Sequence, residues 1–237
     1  KSYTASVSFT NLSAKTQIDY LYYLKCWYTS KVAGVLIEQA KLCNILTPMC
    51  QRVYEEHAGN SISLANHSLA VYRLLFNYAI RHGFTQYNPF TLVKAQKQRS
   101  RKVVWEREHV RAFLNTAFST FEWRNAGLIV NMAYEWGQRL GDMRTLKWDS
   151  YNLETGVLTL TQSKRGANIT VPTSTGLQAM LAQQHVDFGW QQYIAPAPKS
   201  LKGKLLPYSL TRLSKMGVMI MTEADLPEEL TLMDLRR

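Results

Sequence analysis

The chain has 237 residues, 46% of them hydrophobic, and carries 28 Lys and Arg against 17 Asp and Glu, a formal charge of +11. That length and apolar content suit one large domain or two modest ones with real cores, and 13 Tyr with 6 Trp exclude a low-complexity or disordered chain. No run of about 18 uninterrupted apolar residues predicts a membrane span, and the opening KSYTASVSF lacks the charged start and apolar stretch of a secretory signal.

The elements predicted in chain order begin with helices. SAKTQIDYLYYLKCWYTS opens on Ser13 as N-cap and carries Ile18, Leu21, Tyr22 and Tyr28 at near-helical spacing. A second helix is expected around TPMCQRVYEEHA, with Thr47 as cap before Pro48. The third, SLANHSLAVYRLLFNYAIRHG, shows an apolar stripe of Leu64, Val71, Leu74, Leu75 and Tyr78 and a stop at Gly83. In FTQYNPF, Asn88 before Pro89 cannot continue a helix. Residues 1–95 therefore read as a helical bundle, 96–103 as a basic linker and 104–237 as a second domain.

The second domain changes period part-way. WEREHVRAFLNTAF is amphipathic, and LIVNMAYEWG is more uniformly apolar and ends at Gly137. LETGVLTLTQSKRGANITVP alternates, with Val157, Thr159 and Thr161 on one phase and Leu158 and Leu160 on the other. Thr155-Gly156 and Arg165-Gly166 supply its turns, so a short antiparallel sheet is expected. STGLQAMLAQQHV returns to helix. The fold class is mainly α: a helical bundle plus an α+β domain with a small antiparallel sheet.

Cys26, Cys43 and Cys50 form an odd set without a CxxC pair, which argues against a disulfide framework or a zinc site and suits a reducing compartment. Cys43 and Cys50 read as small buried hydrophobes. None of the five His stands at metal-ligand spacing, so neither metal nor cofactor is expected. The charge is more informative. Residues 1–95 hold nine Lys and Arg against four acids, and residues 104–237 hold fifteen against thirteen. Between them Lys97, Arg99, Arg101 and Lys102 stand with no acid. A solvated linker would show the same pattern. A strap along phosphates explains it better, because each neutralised phosphate releases a counterion.

Three further features follow in order: GQRLGDMRTLKW, Lys164 at the tip of the predicted hairpin, and LTLMDLRR at the end. Arg139 lies between Gly137 and Gly141, where backbone can approach a ligand closely, and Asp142 lies three residues on, where a helix lets it brace the arginine. Trp136 and Trp148 read as core. Each feature alone has a bland explanation: a surface arginine, a solvated hairpin lysine (with Arg165 as its rival), a basic tail.

The ordered set resembles the tyrosine recombinases of the phage-integrase family. GQRLGDMRTLKW is similar to the family's first conserved box, the lysine-bearing hairpin to its β2–β3 turn, and LTLMDLRR to its second box. The helical bundle with NPF before a basic linker resembles its core-binding domain. The resemblance implies DNA cleavage and rejoining through a 3′-phosphotyrosine, with Arg139 and Arg236 on the phosphate and Lys164 protonating the leaving 5′ oxygen. Guanidinium forks suit the charge that develops on non-bridging oxygens, and a lysine whose pKa is lowered by nearby arginines can donate. Asp142 and Met233 support the site, and Lys97, Arg99, Arg101 and Lys102 contact DNA. It further implies double-stranded DNA at attachment core sites as partner, a homotetramer on DNA, and a prokaryotic cytoplasm with a phage or mobile element as source.

Two departures stand out. Met233 occupies the place of the second box's histidine and cannot shuttle a proton. Tyr151, Tyr193 and Tyr208 all precede the second box, so none has the nucleophile's place in the order. The family's nucleophile is expected some tens of residues past Arg237. The chain itself should bind DNA without cutting it. The alternative is a non-catalytic DNA-binding or architectural protein that keeps the fold.

Overall fold

The computed structural model describes residues 2–32, 34–164, 166–201 and 204–235. These resolve into two compact units, residues 1–100 and 101–237, the division falling inside the basic strap.

The first unit contains α1 (Val7–Thr10), α2 (Ala14–Thr29), a short hairpin of β1 (Lys31–Val32) and β2 (Val35–Leu36), α3 (Thr47–Asn60) and α4 (Ile62–Arg81). Ser13 caps α2 as expected, its hydroxyl accepting from the Thr16 amide at 3.2 Å. The buried face of α2 differs from the expectation. Ile18, Leu21 and Tyr22 are exposed, and Leu24 and Trp27 turn inward. The reason is ring packing: Trp27 lies 5.1 Å from Tyr72, 6.2 Å from Phe76 and 5.0 Å from Phe90, an aromatic cluster that the other face could not join. Helix α3 begins one residue early. Thr47 lies within it, and its N-cap Leu46 offers no side-chain bond, while Pro48 sits in the first turn as predicted. On α4, Val71 and Tyr78 are buried as expected, whereas Leu64, Leu74 and Leu75 are half-buried and Leu69, Tyr72 and Phe76 reach the centre. Cys50 is buried, but Cys43 is exposed, against expectation, because it lies in a short 3-10 turn at the surface.

Helix α4 stops at His82 and Gly83, the glycine at φ +71. The NPF segment then docks back on α4. Asn88 accepts from the Phe90 amide at 3.0 Å and donates to the Arg73 carbonyl at 2.9 Å. The Arg73 guanidinium donates to the carbonyls of Phe90 and Val93.

The second unit runs α5 (Arg107–Phe118), α6 (Phe121–Glu135), α7 (Leu140–Met143), β3 (Tyr151–Asn152), β4 (Val157–Thr161), β5 (Asn168–Pro172), α8 (Thr175–Phe188), β6 (Pro196–Leu201), β7 (Lys204–Pro207) and α9 (Leu210–Glu223), then a 3-10 turn at Leu232–Asp234. Every residue from Asn125 to Ala133 on α6 is buried, as expected for residues 128–133, whereas Tyr134 and Glu135 at the end of the same apolar segment are exposed. Strands β3, β4 and β5 form one antiparallel sheet in that order, with Leu158 opposite Val171 and Leu160 opposite Ile169. Leu158 is fully buried while Thr159 and Thr161 face out, so the alternation read in the sequence is present and its leucine phase is the inward one. Trp136 is buried and Trp148 half-buried. The β6–β7 hairpin and α9 had no separate sequence expectation.

Candidate active site

The chain leaves α6 through Gly137 at φ +60, a left-handed step that glycine takes most readily, and the Gln138 amide donates back to the Ala133 carbonyl at 3.1 Å. This turn places Arg139 at the N-cap of α7 in extended conformation. Its side chain is 25% exposed and that of Asp142 is 6%. Arg139 Nη1 lies 4.0 Å from Asp142 Oδ2, close enough for attraction and too far for a hydrogen bond. Both atoms are shielded from solvent without a hydrogen-bond partner. A buried guanidinium N–H without an acceptor is uncommon in a folded protein, and here it stands beside a cavity of about 370 Å³. Leu140, Leu210, Leu232, Met233, Leu235 and Ser163 help line that cavity. Its chemistry is that of an anion site: a directed cation held by a carboxylate within largely apolar walls.

The hairpin between β4 and β5 is tied to this loop. The buried Gln162 side chain donates to Gln138 Oε1 at 2.7 Å, and Gln138 donates in turn to the Trp136 carbonyl at 2.8 Å. The Ser163 amide donates to Asp142 Oδ1 at 3.3 Å. The turn closes with Gly166 at φ +65, its amide donating to the Gln162 carbonyl at 2.9 Å. Lys164 stands exposed at the tip and is not part of the cavity wall, although its neighbour Ser163 is.

The remaining sequence candidates separate. Met233 is 80% exposed and lines the cavity. Arg236, like the rival Arg165, lies outside the described residues. Lys97, Arg99 and Lys102 are exposed, as a phosphate strap would require. Arg101 is exposed as well, and its guanidinium also pairs with the buried Asp234 at 3.1 Å. Arg144, the other arginine of the first box, is structural, donating to the Tyr208 carbonyl at 2.7 Å. Sequence reasoning missed Gln138 and Gln162. Their signal was position, since each stands within two residues of a candidate.

Known proteins share part of this chain's sequence and the whole of its fold. Residues 104–190 match the phage integrase family. The matched segment holds Arg139, Asp142 and the Lys164 hairpin. The whole chain shares the integrase fold: a structure of lambda integrase residues 75–356, a dimer bound to a COC′ core site, is 21% identical with a TM-score of 0.82, covering 99% of this chain and 84% of that one. A lambda integrase tetramer bound to a Holliday junction gives 20% and 0.79, covering 97% of this chain and 64% of that one. The Tn1549 transposon integrase, with a circular intermediate DNA, gives 11% and 0.71, covering 95% and 80%. No curated protein matches the chain. Among the described residues no helix is long and apolar enough to cross a membrane.

Proposed function

We propose that the chain is the DNA-binding and phosphate-activating body of a tyrosine recombinase that performs site-specific integration and excision. The observation that carries this reading is the buried, unpartnered Nη1 of Arg139 beside its cavity, braced by Asp142 within an integrase-family segment. In the reaction a tyrosine hydroxyl attacks the scissile phosphorus, the bond to the 5′ oxygen breaks, and a 3′-phosphotyrosine forms. The 5′ oxygen leaves as a hydroxyl after taking a proton. Arg139 and Arg236 stabilise the charge on the non-bridging oxygens, and Lys164 gives the proton. Phosphoester energy is conserved throughout, so no ATP is needed. Residues 1–95 form the core-binding domain, residues 96–103 the linker on phosphates, and residues 104–237 the catalytic domain. By analogy with the lambda integrase assemblies, four copies act on double-stranded attachment sites, inside the prokaryotic host of a phage or mobile element.

No tyrosine stands among the described residues lining the cavity, and the 237-residue chain is expected to bind duplex without cutting it. Covalent trapping on a nicked suicide substrate would overturn that expectation. A second reading, a DNA-binding protein that has given up catalysis, draws its support from Met233 at the place of a proton-handling histidine. The test is duplex binding across a salt series. Wild type should bind with a steep salt slope, and the joint Arg139→Ala and Arg236→Ala variant should lower that slope by about two, one phosphate contact for each arginine. Failure of wild type to bind duplex at low salt removes the recombinase reading.

A further inference from the structure

At the N-terminal end of the second unit, Arg101 turns toward the C-terminal segment of that same unit. Its Nη2 lies 3.1 Å from Asp234 Oδ2 and also donates to the Glu229 carbonyl. Asp234 is 2% exposed, and the Thr231 hydroxyl donates to the same carboxylate oxygen at 2.7 Å. Four residues along, Trp105 Nε1 donates to the Thr231 carbonyl at 2.9 Å. Residues 229–234 are therefore gripped at three points, two by Arg101 within the strap and one by Trp105 just after it. The next residues of that segment, with Leu232 and Met233, supply Leu235 to the Arg139 cavity wall.

A carboxylate at this depth is stable only when paired, and a guanidinium can serve a carboxylate and a carbonyl together where an ammonium cannot do so as well. Resting on the recombinase reading above, we infer that Arg101 is a positioning residue rather than a phosphate ligand: it latches the Leu232–Leu235 wall onto the Arg139 site. The strap then has two jobs. Lys97, Arg99 and Lys102 lie outward on the polyanion, and Arg101 fixes the segment that leads into the second box.

The test compares wild type with Arg101→Lys, Asp234→Asn and Lys102→Ala in duplex binding across salt. Arg101→Lys and Asp234→Asn should each weaken binding about tenfold, the size of a typical coupling between contacting groups. Asp234→Asn should do so although it removes a negative charge. Lys102→Ala should lower the salt slope by about one. A phosphate-contacting Arg101 predicts the opposite sign: Asp234→Asn would free the guanidinium and tighten binding, and Arg101→Lys would bind almost normally. Either result overturns the latch, as does unchanged affinity in variants that merely melt earlier. Hydrogen exchange reads the latch without DNA. The Asp234 amide, bonded to the Thr231 carbonyl at 3.0 Å, should exchange faster in both latch variants, and unchanged protection would sink the idea. If wild type fails to bind duplex, the recombinase reading falls, while the exchange result still decides the latch.

Discussion

Around Trp27 the first unit packs ring against ring, with Phe90 5.3 Å from Tyr72 and 5.5 Å from Phe76. Around Arg139 the second unit instead buries two amides and an aspartate in specific hydrogen bonds and sets a half-buried arginine beside them. The first arrangement tolerates small shifts because dispersion and area burial are non-directional. The second does not, since a buried polar group is either bonded or costly. The contrast teaches where precision is spent: in the bundle the residues secure the fold, and beside the cavity they secure the direction of a guanidinium.

The largest loss is expected from Phe90→Ala. Phe90 is fully buried and touches three rings of the cluster, so its loss should cost about 3–5 kcal/mol in denaturant unfolding of the bundle. A cost below about 1.5 kcal/mol would mean that the cluster collapses readily around the gap, and that ring packing is not what secures this unit.

The amide clamp gives a smaller and more structured effect. Gln138→Leu or Gln162→Leu alone leaves the partner amide buried and unmatched, at about 1–3 kcal/mol each. The double variant should cost clearly less than the sum, because both members of the pair then leave together. Simple additivity in thermal melts would show that the 2.7 Å bond does not couple the hairpin to the Arg139 loop.

How much of this was readable beforehand varies with the kind of force. The turns were legible because glycine's left-handed step is a local property: Gly83, Gly137, Gly156 and Gly166 all carry positive φ where the sequence predicted stops or turns. The sheet itself followed from simple alternation, with Leu158 on its inward side. The buried face of α2 was not legible, because Ile18, Leu21 and Tyr22 are as apolar as the residues that won, and the choice was made by rings from α4 and the NPF turn. At the site, Arg139 and Asp142 could be picked out by their spacing. That Arg101 would pair with Asp234, 133 positions away, could not, since no local pattern encodes a long-range ion pair.

The smallest expected effect lies under α9's first turn. Tyr208 is fully buried, its hydroxyl has no hydrogen-bond partner, and burial pushes its pKa from 10.0 up to about 12. Tyr208→Phe removes an unmatched buried polar atom and should change stability by less than about 1 kcal/mol at neutral pH, toward the stable side. The contrast with wild type should open in alkali. Below pH 10 the tyrosine is protonated in both folded and unfolded chains and contributes no slope. From there to about pH 12 the unfolded chain gives up a proton that the folded one keeps, so stability falls with rising pH by about 1.4 kcal/mol per unit for this group. The phenylalanine variant should lack that share of the alkaline slope when unfolding of the second unit is followed. An equally steep slope would mean that the Tyr208 hydroxyl finds a partner in solution and is not the lone polar atom that sets it apart from the bonded amides around Arg139.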